Sequence, residues 1–366
     1  MQIDQVIRRL WQAIKGRLAK FSAALKRARP PQFRAPKIEG LNPGAAAGQA
    51  AGRFGDWLGE RFAALGIVSK LGLLGAAIAL LVVYYVAGAF LMSKVDADTG
   101  VAPPAVPAGA SQSVAVAAAL IDREMPRWVP NDPIYKPSVI LHNMPNFQRG
   151  MLKAFQRFTI ELNDQLGRTR GSSPIDPDLE RAAGDIRYPV DRWIWNADRW
   201  WAFTQTTEDS YRRAAKALKS YNARLASARA TFDPRADNLR AVLDGFANDL
   251  GATSAAIDEF VGKTAGFPLN YEAAHLFYRT KGQMYACYMI LKGLGADTAL
   301  VLKERNADPI YQQMLESFEA GVKLEPFLVL NGTRDGSVFP NHLTTIGFYL
   351  LQARTRLREI TSVLQN

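Results

Sequence analysis

Five carboxylates, Asp176, Asp178, Glu180, Asp185 and Asp191, crowd into one short stretch of the chain. Two carboxyls held several ångströms apart, one with a raised pKa, can cleave a glycosidic bond as acid and as nucleophile or base. Arg181, Arg187 and Arg192 are interleaved with them, so the plainer reading is a neutralised, solvated face. The next segment is denser in unusual residues. Trp193, Trp195, Trp200 and Trp201 follow Tyr188-Pro189, with Trp128 upstream. On a helix, Trp193 and Trp200 would share a face, Trp201 would lie beside them, and Trp195 would point nearly opposite. An exposed tryptophan beside Asn196, Asp198 and Arg199 suits stacking on a sugar ring or anchoring a protein partner. Large aromatics more often fill a helical core, and that reading carries more weight. These four tryptophans are the candidate binding residues, and no catalytic residue is assigned.

The remaining reactive residues are sparse. His142, His275 and His342 belong to no grouping with metal-ligand spacing, so neither a metal nor another cofactor is expected. Cys287 is the only cysteine, which excludes an intrachain disulfide. Its setting, Met284-Tyr-Ala-Cys-Tyr-Met-Ile290, describes a buried, inert thiol rather than a nucleophile. No nucleophile-elbow, phosphate-loop or dinucleotide pattern is present.

These residues must be positioned by helices. Apolar residues recur at three- and four-residue steps over 147–166, 207–232, 238–261, 271–294, 309–324 and 342–364. Asp233-Pro234, Phe267-Pro268 and Glu325-Pro326 separate them. Between Phe327 and Phe339, short apolar runs flank Asn-Gly and Asp-Gly, which predicts a small β-hairpin. The fold class is all-α: one membrane-crossing helix and a large soluble helical bundle carrying that hairpin insertion.

Two blocks resemble a known family. The first is Tyr278-Arg-Thr-Lys-Gly-Gln-Met-Tyr-Ala-Cys-Tyr-Met-Ile-Leu-Lys-Gly-Leu-Gly295. The second joins Pro340-Asn-His-Leu to Gly347-Phe-Tyr-Leu-Leu-Gln-Ala-Arg354. Both are similar to blocks of an uncharacterised family, a domain of unknown function, of single-pass proteobacterial inner-membrane proteins. The resemblance runs from the span to the C-terminus and implies an anchor, with no activity and no site residue to carry over.

Residues 71–92 are uncharged and apolar between Lys70 and Lys94, long enough as a helix to cross a bilayer. Before them stand 13 Lys/Arg against four Asp/Glu, which accounts for +9 of the net +11. Basic flanks stay cytoplasmic. The expected location is therefore the bacterial inner membrane, with a cytoplasmic N-terminus, a periplasmic C-terminal domain and the lipid bilayer as first partner. Because the excess charge sits in the head, a nucleic-acid partner is not expected. Within 1–29, Ile3, Ile7, Trp11, Ile14 and Phe21 fall on one helical stripe, with Arg8, Arg9 and Lys15 largely beside it. Such a helix lies on anionic lipid or packs against a partner helix; the nearby anchor favours lipid. Residues 30–66 form a linker and juxtamembrane segment, 67–92 the membrane helix, 93–113 a Pro/Ala-rich spacer and 114–366 the extracytoplasmic domain.

Two functions from different classes fit these residues. The first is a non-enzymatic anchored envelope protein whose helical domain binds a protein or envelope polymer. The second is an anchored, carboxylate-dependent peptidoglycan hydrolase or lyase using the tryptophans as a sugar platform.

Overall fold

The computed structural model describes residues 67–92, 94–101, 105–133, 135–140, 143–167, 175–194, 203–264, 266–333 and 339–365, with Gly52, Asp56 and Glu60 singly. The basic amphipathic helix expected within 1–29 lies outside these residues, as do His142, Trp195, Trp200 and Trp201. The chain divides into two compact units at Ala76/Ala77. The second unit holds the C-terminal part of the first helix and everything after it.

The helices are α1 Ile67–Met92, α2 Gln112–Glu124, α3 Asn143–Glu161 and α4 Pro177–Asp185. Then come α5 Thr207–Ala226, α6 Ala236–Thr264, α7 Tyr271–Asp297, α8 Ala299–Glu304, α9 Asp308–Val322 and α10 His342–Gln365. At 1.5 Å per residue α1 is about 39 Å long, beyond the roughly 30 Å of a bilayer's hydrocarbon core. None of its apolar stretch Leu71–Gly88 is buried in the structure.

The domain is organised around α7, which packs against α3, α2, α9 and α10. Its residues from Thr280 to Leu291 are buried without interruption, as expected of a helix enclosed on all sides. Even Lys281 is only 3% exposed, and its Nζ donates to the Leu324 carbonyl at 2.8 Å. Glycines let the neighbours come close. A Cβ on Gly282 would stand 1.9 Å from the Phe147 carbonyl oxygen, and one on Gly150 would stand 1.9 Å from that of Arg279. The backbones of α3 and α7 therefore touch. The first sequence block is this central helix.

Two helices depart from the expected segmentation. α2 begins at Gln112, inside the stretch assigned to the spacer, with Ser111 capping the Val114 amide. Asp297, where α7 ends, completes that cap by accepting from the Gln112 and Ser113 amides at 2.6 and 2.9 Å. α4 occupies the acidic stretch itself. The first part of the spacer is docked too, since Tyr285 donates to the Asp98 carbonyl and Val95 and Ala97 pack on the core.

The expected hairpin takes a narrower form. Among the described residues the pairing is a single antiparallel bridge, Asn331 to Asn341, with 334–338 outside the description. Side chains hold it: Asn341 Nδ2 donates to Asn331 Oδ1 and the Gly332 carbonyl, while Asn341 Oδ1 accepts from the Thr344 amide at the start of α10. His342 Nδ1 accepts the Leu330 amide at 2.8 Å. That bond requires the unprotonated ring nitrogen, and burial lowers the His342 pKa from its ordinary value.

A histidine whose pKa is lower folded than unfolded gives stability that is complete above about pH 6.5 and lost as pH falls through the window below it. The urea midpoint of the full chain in detergent should therefore drop from pH 7.5 to 5.5, and His342→Gln should remove that part of the drop. An unchanged drop in the variant would show that His342 is not its source.

Candidate functional site

The carboxylates resolve into structural roles. Asp176 is the N-cap of α4, accepting from the Asp178 amide at 2.9 Å, with Pro177 at the first helical position. Arg224 of α5 forks across both acids, with Nη2 2.6 Å from Asp176 Oδ1 and 2.7 Å from Asp178 Oδ2. Burial alone would raise the Asp176 pKa, but the Arg224 hydrogen bonds and two backbone amides outweigh it and hold the carboxyl below its usual range. Asp185 pairs with Arg213 at 2.8 Å, and Glu180 and Asp191 are exposed. Asp176, Asp178 and Asp185 join α4 to α5.

A carboxyl with a raised pKa lies elsewhere. Burial at the end of α3 raises Glu161, against the pull of Arg157. Arg157 bridges it to Asp249 of α6, with contacts of 3.1 Å to Glu161 and 2.8 and 2.9 Å to Asp249. Local sequence gives no sign of this pair, because its two acids are far apart in the chain. The arginine between them ties α3 to α6 and satisfies both carboxylates.

Cys287 is fully buried, which pushes its thiol pKa far up, as expected for an inert side chain. His275 is half-buried, edge-on to Tyr271 at 5.2 Å between centroids. Among the described residues, no three His, Cys, Asp or Glu side chains are grouped to hold a metal ion.

Of the candidate tryptophans, Trp193 is described, and it lies in irregular backbone rather than on a helix. Its segment is one side of a stem. Thr204 donates its amide to the Ile194 carbonyl at 3.0 Å and its hydroxyl to the Trp193 carbonyl at 2.9 Å. Thr207 donates its amide to the Arg192 carbonyl and its hydroxyl to that of Pro189. Asn131 Nδ2 also reaches the Arg192 carbonyl, and Trp128, buried edge-on to Tyr211, donates to the Val190 carbonyl. The stem is therefore rigidly braced. Trp193 itself is half-buried, with its ring 6.3 Å from that of exposed Tyr135.

A second surface gives no sequence signal beyond its turn residues. The described loop residues 266–271 and 325–333 are joined where Gly266 donates to Gly332, Asn331 donates to Pro268, and Asn331 Nδ2 reaches the Thr264 carbonyl, with 339–341 closing back on Asn331 and Gly332. They carry Phe267, Leu269, Tyr271, Phe327, Leu328 and Phe339, all exposed. Six large apolar side chains on two linked loops are more than the scattered exposure expected of a solvated surface.

A family model described as an uncharacterised protein conserved in bacteria, DUF2333, matches residues 92–275 and 269–366. The chain belongs to that family. The matched stretch opens at the last residue of α1 and takes in the whole helical domain, both sequence blocks included. No curated protein and no solved structure matches the chain.

Proposed function

We propose that this DUF2333 member is a single-pass anchor protein of the bacterial inner membrane, with a cytoplasmic N-terminus and a periplasmic helical domain. It works without catalysis, holding a protein partner on the joined loop residues 266–271, 325–333 and 339–341. The observation that carries the anchoring is the exposure of α1. Its apolar side chains from Leu71 to Gly88 are unburied, whereas α7 is enclosed from Thr280 to Leu291. Leaving so long an apolar face in water is costly, and a bilayer removes the cost. Orientation is supported by the 13-to-four charge bias before the span. The basic amphipathic helix within 1–29 would rest on the anionic cytoplasmic leaflet, Ile3 and Trp11 on its apolar stripe and Arg8 and Lys15 beside it.

Binding is favoured over hydrolysis by the acids themselves. Asp176 and Asp178 are engaged with Arg224, and a general acid must be able to give up a proton to substrate.

Two measurements test the proposal. Alkaline phosphatase fused after Asn366 should be active, and fused near Lys37 inactive; the reverse would sink the orientation. A photo-crosslinking residue in place of Phe327 or Leu269 should give a discrete adduct in intact cells, absent at Leu300 on α8. Release of sugar fragments from purified peptidoglycan, abolished by one Asp→Asn change in a folded variant, would establish the hydrolase instead.

A further inference from the structure

The aromatic stem stands against the membrane helix. Tyr84 of α1 donates its hydroxyl to the Tyr135 carbonyl at 3.1 Å. One turn further along, a Cβ on Gly88 would fall 2.4 Å from Pro137 Cγ, so this position brings the loop directly onto the helix. Tyr84 lies eight residues before Met92, where the apolar run of α1 ends, about 12 Å along the axis. Residues 135–137 therefore meet α1 in the C-terminal half of its apolar run, between about 6 and 12 Å from the end at Met92. Tyr135 in turn is edge-on to Trp193. Phe203, on the other side of the stem, is 76% exposed. Lys94, just beyond α1, is exposed, and Lys136 is paired with Asp132.

Tyrosine and tryptophan with flanking lysines are the residues that settle at the boundary between acyl chains and headgroups. There an apolar ring is buried while its polar edge stays wet. We propose that Tyr135, Trp193 and Phe203 form an aromatic platform seated in the headgroup region of the same bilayer that α1 crosses. The proposal rests on the anchoring reading above. It assigns Trp193 to phospholipid rather than to a sugar or a protein. With the span as one attachment and the platform as a second, the domain would be fixed in orientation over the membrane.

Because Cys287 is fully buried, a cysteine introduced at the surface can be labelled selectively. The full chain in phospholipid vesicles would carry an environment-sensitive fluorophore at Trp193→Cys, Phe203→Cys, Leu80→Cys in α1 or Leu300→Cys on α8. At Trp193 and Phe203 the emission should shift to the blue, lose its quenching by aqueous iodide and be quenched by lipid bearing a shallow nitroxide. Leu300 should remain fully iodide-quenched. Iodide quenching at Trp193 and Phe203 equal to that at Leu300, with Leu80 shielded, would overturn the platform and leave the anchor standing. A Leu80 label open to iodide would overturn the anchoring reading, and the platform with it. Circular dichroism would check folding, and exposed Phe203 keeps the test intact if Trp193→Cys misfolds.

Discussion

Gly282→Ala should cost the helical domain about 3 kcal/mol or more, at or above the upper end of the usual range for overpacking. The added methyl would stand 1.9 Å from the Phe147 carbonyl oxygen and 2.7 Å from its carbon, and these are backbone atoms that cannot swing aside. Gly150 meets the Arg279 carbonyl oxygen at the same distance from the other helix, so α3 and α7 could relieve the clash only by separating. Separation would open the central contact of the bundle. At about 2–4 °C per kcal/mol for a domain of this size, the melting temperature should fall by roughly 6–12 °C or more. Gly262→Ala supplies the contrast. It changes a glycine in α6 with nothing within 4 Å of the new methyl, and helix propensity alone should stabilise by up to about 1 kcal/mol. Equal melting temperatures for the two variants would refute the backbone contact.

That crossing also shows where a sequence stops being informative. The helicity of α7 is legible from its periodicity, but its enclosure is not, because an apolar stripe marks only one buried face. Gly282 needs Phe147, more than a hundred residues earlier, and nothing local joins them. α4 is a different case, because its signal is present. Asp176-Pro177-Asp178 followed by Glu180 is an N-cap, a first-turn proline and two acids at the positive end of a helix, and weighing these acids for catalysis hides the cap. α2 escapes notice as a helix, although the domain is begun at Val114, because Val114-Ala-Val-Ala-Ala-Ala119 shows no marked apolar stripe. Alanine favours helix yet contributes little amphipathic contrast.

The candidate site divides along the same line. The aromatic richness around Trp193 is legible, and so is the choice between core and surface. Its seat beside Tyr84 is not, because the path from Trp193 to α1 runs through Tyr135 by tertiary contacts alone. The exposed apolar loops are hidden differently. In sequence, Phe327 and Phe339 read as flanks of a hairpin, where alternate side chains would face inward. Asn331 instead ties the segment to Thr264 and Pro268, Asn341 holds Asn331 in place, and those rings are left outside.

Glu124→Ala should be comparably damaging, and for electrostatic reasons. Glu124 is 1% exposed and accepts from Arg123 Nε at 3.0 Å, Arg127 Nη2 at 2.7 Å and Gln148 Nε2 at 3.0 Å. Burial alone would lower the Arg123 pKa, but Tyr285, Glu124 and Asp96 together hold it above its ordinary value. Arg127 Nε is already buried without a hydrogen-bond partner. Removing the shared carboxylate leaves two partly buried guanidiniums facing each other, and breaking such a cluster costs about 3–5 kcal/mol. The loss should be felt in residues 94–101, which follow α1. Asp96, two residues past Lys94, is held by Arg127 at 3.4 Å and by Arg123 at 3.7 Å, and its carbonyl accepts from Arg123. Limited proteolysis of Glu124→Ala in detergent should therefore cut within residues 94–101 while the parent resists. Glu124→Leu combined with Arg127→Leu should recover part of the stability, because replacing a buried ion pair by apolar groups is much cheaper than orphaning one partner. If the single and double variants melt together and residues 94–101 stay protected in both, Glu124 does not couple α1 to the helices that follow.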